Sequence, residues 1–220
     1  MNQNQNKIDV LLVDDHAVVR AGFRMLLSSQ PFIGNIVDVD RGELVCHEYE
    51  RSHPDVVVMD LSMPGIGGLE TIRRLKRQDP QAIILVYSIH DESVYVERAI
   101  QAGAKGYVTK NSAAEVLAEA VSTVMQGRRY IDPEILPSLD DFKQPADTLH
   151  YGQVIESLSP REFDVFCRTA RGMTAHEVAA ELHLGYKTVA NYNTTIKNKL
   201  NVNTTADLAN IAVVLGIIKP

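Results

Sequence analysis

The sequence has only two cysteines, Cys46 and Cys167, and neither has a CxxC partner or clustered histidines. A disulfide framework and a zinc site are thereby excluded, leaving two reduced thiols in separate helical segments. No apolar run approaches the roughly 18 residues that a membrane-spanning helix needs. The start, Met1-Asn-Gln-Asn-Gln-Asn, lacks the basic-then-apolar pattern of a secretory signal, so a cytoplasmic location without membrane partners is expected. There is no internal repeat and no low-complexity segment. Overall positive charge is lacking as well: the net charge is −6. Residues 1–147 carry 15 Lys+Arg against 22 Asp+Glu, while residues 148–220 carry 7 against 6. The acidic part repels nucleic acid, and the near-neutral C-terminal part is free to bind it.

What remains is 220 residues with ordinary apolar content, enough for two domains. The first 126 residues alternate short β-branched runs with amphipathic stretches. Ile8-Asp9-Val10-Leu11-Leu12-Val13 reads as a buried strand, followed by a helix over 17–28. A weaker strand at 36–39 precedes a helical stretch near 43–51. Val56-Val57-Val58-Met59 is apolar throughout, as a parallel strand covered on both faces must be. Then follow a helix (69–78), a strand (83–87), a helix (92–102), a strand (106–109) and a helix (113–125). The last of these opens on Ser112-x-x-Glu115, a capping-box pattern. Five strand–helix repeats predict a flavodoxin-like, doubly wound, five-stranded parallel α/β sheet.

From about 127 to 157 the periodicity fails. Pro133, Pro137, Pro145 and the polar run 138–144 read as a linker, with room for a helical turn. Beyond it no strand pattern appears. Ser159-Pro160-Arg161-Glu162 and Thr174-x-x-Glu177 are capping boxes, and Thr204-x-x-Asp207 resembles a third. Tyr186 to Leu200 fits another helix, with Val189, Ile196 and Leu200 on one apolar stripe. These elements predict a small all-α domain of four helices. The expected division is therefore 1–127, a linker over 128–154, and 155–220.

In an open α/β sheet, ligands bind beyond the carboxyl ends of the strands. Asp14 and Asp15 follow the first strand, Asp60 the third, while Ser88 ends the fourth and Lys110 the fifth. With strands one and three adjacent, three acids converge on one rim and repel one another. A hard divalent cation with oxygen ligands, Mg²⁺, is the expected remedy. Any one of these residues alone reads more readily as a turn, a cap or a solvated charge. The joint pattern at four strand ends is what points to a site.

Here the chain resembles the receiver domain of bacterial two-component response regulators. The matching stretches are Val10-Leu-Leu-Val-Asp14-Asp15-His16, Val57-Val-Met-Asp60-Leu-Ser-Met-Pro64-x-x-Gly67-Gly68 and Ala102-Gly-Ala-Lys-Gly-Tyr107-Val-Thr-Lys110. The resemblance spans roughly residues 7–127. It implies Asp60 as phosphoacceptor, Asp14 and Asp15 as Mg²⁺ ligands with Asp60, and the Ser62 backbone carbonyl completing the metal shell. It further implies Lys110 and Ser88 as partners of the phosphoryl oxygens, Tyr107 as an aromatic switch, and a sensor histidine kinase as donor. Many receivers carry Pro after the lysine; here Asn111 stands there. A phosphatase of the haloacid dehalogenase type also uses an Asp after a strand. That chemistry wants a second acid two residues on, which Asp60-Leu61-Ser62 lacks, so the chain is not expected to be an enzyme.

Segments 174–183 and 186–200, joined through Leu184-Gly185, fit a helix-turn-helix. The run from Leu158-Ser-Pro-Arg-Glu162 through Gly172, Glu177, Lys187-Thr188-Val189 and Lys199-Leu200 resembles the LuxR-type DNA-binding domain. Together the two halves resemble the NarL/FixJ class of transcription regulators. By that resemblance Tyr186–Leu200 is the recognition helix. Lys187, Ala190, Asn191, Thr194 and Asn193 then face the groove of double-stranded DNA, and Lys187, Lys197 and Lys199 face phosphates. Ala190 and Thr194 stand where relatives often place basic residues, so the helix is light in charge. That leaves open an alternative in which the helical domain acts through protein contacts. The last helix, near 206–215, carries Leu208, Ile211, Ala212 and Leu215 on one face. This face either pairs two copies of the chain in a homodimer, as the resemblance implies, or packs into the domain's own core.

Overall fold

The computed structural model of the chain describes residues 7–135 and 154–218. The greater part of the expected linker, with Pro137, Pro145 and the polar run 138–144, lies outside the described residues. The described residues form two compact units, one of 7–91 with Ala99–Ile135, the other of Glu92–Arg98 with 154–218.

The first unit is built on strands β1 (Ile8–Val13), β2 (Ile33–Val39), β3 (Val56–Met59), β4 (Ile84–Ser88), β5 (Gly106–Thr109) and β6 (Tyr130–Ile131). Their order is β2-β1-β3-β4-β5-β6, and every pair is parallel. The first five follow the expected flavodoxin-like order. The sixth is a two-residue strand inside the segment read as linker, too short to leave a periodic signal. It pairs Gly106 with Tyr130 and Tyr107 with Ile131. β2 begins three residues earlier than its apolar pattern suggests, because Gly34 and Asn35 interrupt the run.

Helices α1 (Ala17–Ser28), α2 (Val45–Ser52), α3 (Gly68–Gln78), α4 (Ser93–Ala102) and α5 (Ala114–Met125) connect the strands. One face of the sheet presents Val10, Leu12, Val56, Val58, Leu85 and Val108 to Leu27 of α1 and Leu117, Val121 and Val124 of α5. The alternate residues Leu11, Val13, Val57, Met59, Ile84 and Val86 are equally buried on the other face. This two-sided burial is why the strands read as continuous apolar runs. α5 starts without the expected capping box: its N-cap is Ala113, with no side-chain cap. The Ser112 hydroxyl instead donates to Asp132 at 2.5 Å.

The helical unit contains α6 (Pro160–Ala170), α7 (Ala175–Glu181), α8 (Tyr186–Leu200) and α9 (Thr205–Val214). All three expected capping boxes form, at Ser159–Glu162, Thr174–Glu177 and Thr204–Asp207. Phe163, Val165 and Phe166 of α6, Val178 of α7, Val189 and Ile196 of α8 and Leu208 of α9 make the core. Leu208, Ile211, Ala212 and Leu215 are all buried, so that face of α9 packs into its own domain. Val213 and Val214 lie exposed on the other side.

Candidate functional site

The β1–α1 and β3–α3 connections leave the sheet side by side, because β1 and β3 are neighbours in register. Asp14 and Asp60 are therefore brought together, both 2% exposed. Lys110 reaches across from the end of β5 and donates to Asp14 Oδ2 at 2.6 Å and Asp60 Oδ2 at 2.8 Å. The His16 backbone N–H donates to Asp14 Oδ1 at 2.7 Å, and the Ser62 backbone N–H to Asp60 Oδ1 at 3.1 Å. Ligand atoms of Asp14, Asp15, His16 and Asp60 all lie within 4.8 Å of one another.

The local chain path is set by glycine. Gly67 takes φ of 72°, and a Cβ on Gly68 would sit 2.2 Å from the Asp60 carbonyl oxygen. Only Gly-Gly lets α3 start directly beneath the acid.

Burial raises the Asp60 pKa from its ordinary value, outweighing the pull of Lys110. Burial alone would lower the Lys110 pKa, yet the attraction of Asp60 and Asp14 exceeds it, and the net shift is upward. Lys110 therefore stays charged while the acids share one cation among several negative oxygens. Asp15 Oδ1 is buried and accepts no hydrogen bond; His16 Nδ1 lies 2.9 Å from it. The carboxylate oxygens of Asp14, Asp15 and Asp60, with such an atom among them, suit a hard divalent cation.

Ser88 is fully buried at the end of β4, where its register partner is Thr109. Its hydroxyl oxygen accepts the His90 backbone N–H at 3.3 Å. Tyr107 is also fully buried and donates its hydroxyl to the His90 carbonyl at 2.8 Å. The imidazole of His90 lies 3.0 Å from the Ser62 hydroxyl. His90 thus joins three of the expected residues, and no sequence pattern marked it.

On α8 the expected residues divide. Lys187, Asn191 and Thr194 are exposed, while Ala190 and Lys197 are half-buried. The Thr194 hydroxyl turns back onto the Ala190 carbonyl at 3.1 Å. Asn193 faces α6, where its side-chain oxygen accepts from the Thr169 hydroxyl at 3.0 Å. Lys199 is held by Glu162 at 2.6 Å and the Ser157 carbonyl at 3.1 Å. Residues 182–185 form the turn, with His183 in the left-handed region at φ of 51°. Gly185 supplies no side-chain cap, but Tyr186 stacks on His176 of α7 with centroids 4.3 Å apart. That stack, unmarked in the sequence, ties the start of α8 to α7.

Residues 10–122 match the family described as response regulator receiver domain. Residues 156–212 match bacterial regulatory proteins of the luxR family. The chain is 36% identical over 213 residues to the response regulator GacA of Pseudomonas aeruginosa, covering 96% of this chain and 98% of GacA. It is 34% identical over 211 residues to the response regulator UvrY of Escherichia coli K12, covering 96% and 95%. A LuxR-family two-component response regulator from Aurantimonas superimposes with a TM-score of 0.60 at 35% identity. That match covers 62% of this chain and 97% of the Aurantimonas chain.

Proposed function

We propose that this chain, which belongs to the two-component response regulators of the NarL/FixJ class, accepts a phosphoryl group on Asp60 and thereby controls DNA binding by α8. The family regulates transcription and is not one of enzymes. The observation that carries the assignment of Asp60 is its pairing with Lys110 beside Asp14, with all three side chains almost wholly buried.

In transfer from the phosphohistidine of a sensor kinase, a carboxylate oxygen of Asp60 attacks phosphorus and the N–P bond breaks. Lys110 Nζ, 2.8 Å from Asp60 Oδ2, stands where it can pair with the phosphoryl oxygens and offset their charge. Asp14, Asp15, Asp60 and the Ser62 backbone carbonyl would hold Mg²⁺, whose charge neutralisation assists the same step. The phosphoryl group adds acceptor oxygens at the rim. Drawn toward them, the Ser88 hydroxyl gives up the His90 N–H, and the loop carrying His90 shifts. Tyr107 is bonded to the carbonyl of that same residue, so its orientation follows. This is a two-state element biased by one local charge change.

On the output side, Lys187 and Asn191 at the exposed start of α8 are the best-placed contacts to phosphate and base edge. Lys197 and Thr194 flank them, and Ala190 can contact a thymine methyl. Asn193 and Lys199 are committed within the domain and reach DNA only if those bonds exchange. The partners are the kinase, double-stranded DNA and a second copy of the chain on a two-fold symmetric site. Kinase and operator place the work in the cytoplasm. Among the described residues, no helix is long and apolar enough to cross a membrane.

DNA selection from a random pool with Mg²⁺, with and without beryllofluoride, tests the proposal. A two-fold symmetric site enriched only with beryllofluoride supports it. Equal enrichment in both arms removes phosphorylation as the gate, and no enrichment in either favours a protein-docking role. For the acceptor itself, Asp60→Asn is expected to abolish phosphorylation; a stable phosphoryl group still seen by mass spectrometry overturns the assignment.

A further inference from the structure

Lys110 lies on a short loop between β5 and α5, at a place where aim matters: its ammonium touches two carboxylates at 2.6 and 2.8 Å. Asn111 follows it, so no proline stiffens the loop. Ser112 does not cap α5 either. From outside, the loop is held by the Ser88 carbonyl, which accepts the Lys110 N–H at 2.7 Å, and on both sides of Lys110 by Asp132, the residue directly after β6.

Asp132 is 1% exposed. Its Oδ2 accepts the backbone N–H of Thr109 at 3.1 Å and the hydroxyl of Ser112 at 2.5 Å. Its Oδ1 accepts the backbone N–H of Glu134 at 3.1 Å. Its own N–H donates to the Tyr107 carbonyl at 2.9 Å. One carboxylate oxygen thus grips the residue before Lys110 and the second residue after it. Within the loop, Thr109 Oγ1 accepts the Asn111 N–H at 3.2 Å, a bond that a proline there would forbid. Charged acceptors make shorter and stronger bonds than neutral ones. A buried carboxylate is costly to keep merely to end a two-residue edge strand. Its three accepted bonds are spent on the loop that carries Lys110 and on the turn that follows β6.

We propose that Asp132 is a positioning residue for phosphoryl transfer, clamping Thr109 and Ser112 so that Lys110 stays aimed at Asp60 and Asp14. It touches neither phosphoryl group nor metal and acts through Lys110. The proposal rests on Asp60 being the phosphoacceptor.

The test measures the rate of phosphorylation of the full chain by acetyl phosphate with Mg²⁺, read on phosphate-affinity gels. A clamp loosened without unfolding should slow transfer about tenfold in Asp132→Ala and about threefold in Ser112→Ala. Asp132→Asn, which keeps an acceptor oxygen in the same place, should fall between Asp132→Ala and wild type. Ser112→Ala removes a single donor and keeps the test valid if Asp132→Ala fails to fold. The decisive comparison is the double variant: Lys110→Ala/Asp132→Ala should be no slower than Lys110→Ala alone. A double variant slower by the full factor means Asp132 supports the fold generally, which overturns the proposal. So does an Asp132→Ala rate within about twofold of wild type. A wild-type chain that takes no phosphoryl group removes the Asp60 reading and this proposal together, an outcome distinct from either of those.

Discussion

Lys110→Met removes the cation from between two buried carboxylates and keeps most of the side chain's volume. At separations of 2.6 and 2.8 Å, each contact is worth about 6 kcal/mol of Coulomb attraction at an effective dielectric of ~20. Desolvation of the ammonium takes back much of this, since its side chain is only 11% exposed. Breaking a buried pair by removing one partner leaves a net cost of about 3–5 kcal/mol. Asp14 and Asp60 then face each other without a cation, and the variant should unfold at clearly lower urea than wild type near neutral pH. The sign with pH follows from Asp60. Its folded pKa already lies above the ordinary carboxylate value because of burial, and loss of Lys110 removes the attraction that opposed the rise. A folded state that holds its proton longer than the unfolded state loses stability as pH rises through that window. The defect of Lys110→Met should accordingly shrink as pH is lowered toward the carboxylate range. Asp60→Asn in the same chain should recover part of the loss, because one of the two repelling charges is gone. Urea unfolding followed by far-ultraviolet circular dichroism measures each quantity. A loss under about 1 kcal/mol, or an equal loss with Asp60→Asn already present, would refute the reasoning.

Three further outcomes are expected. Ser159→Ala breaks the capping box at the start of α6 and should cost about 1 kcal/mol in urea unfolding of the helical unit; an unchanged midpoint counts against the cap. Cys167 is buried, and that burial pushes its thiol up to about 12. The folded state therefore keeps this proton between the ordinary thiol value and about 12, and stability falls as pH rises through that range. Cys167→Ala should flatten that slope, and a thiol reagent at mildly alkaline pH should modify Cys46 well before Cys167. Lys187→Ala should weaken binding at every DNA sequence alike and lower the salt slope by about one; an unaltered slope in a salt titration removes its phosphate role.

Much of this was legible in the sequence. The apolar runs of β1 and β3 are forced by burial on two faces, and the three capping boxes of the helical unit are local hydrogen-bond patterns that formed as written. Asp14, Asp15, Asp60, Ser88 and Lys110 stand out in the sequence because each lies at a strand end, a position that local periodicity reveals. Other features depend on partners distant in sequence. Ser112 has the pattern of a helix cap, yet the hydroxyl went to a buried carboxylate twenty residues away. In a linear reading Lys199 looks like a phosphate contact and Asn193 like a groove residue, while in the fold Lys199 bonds to Glu162 and Asn193 to Thr169. Leu208 and Ile211 could equally have faced a second copy, and the fold buries them at home.

The sequence by itself determined the strand–helix alternation, the three caps of the helical unit and the set of chemical groups at the rim, because hydrophobic period and side-chain-to-backbone bonds act over a few residues. Only the tertiary structure decided that Lys110 touches both Asp14 and Asp60, that His90 links Ser62 with Tyr107, and that β6 brings Asp132 to the lysine loop. Those contacts join elements far apart in the chain, and a buried charge takes whichever partner the packing delivers to it.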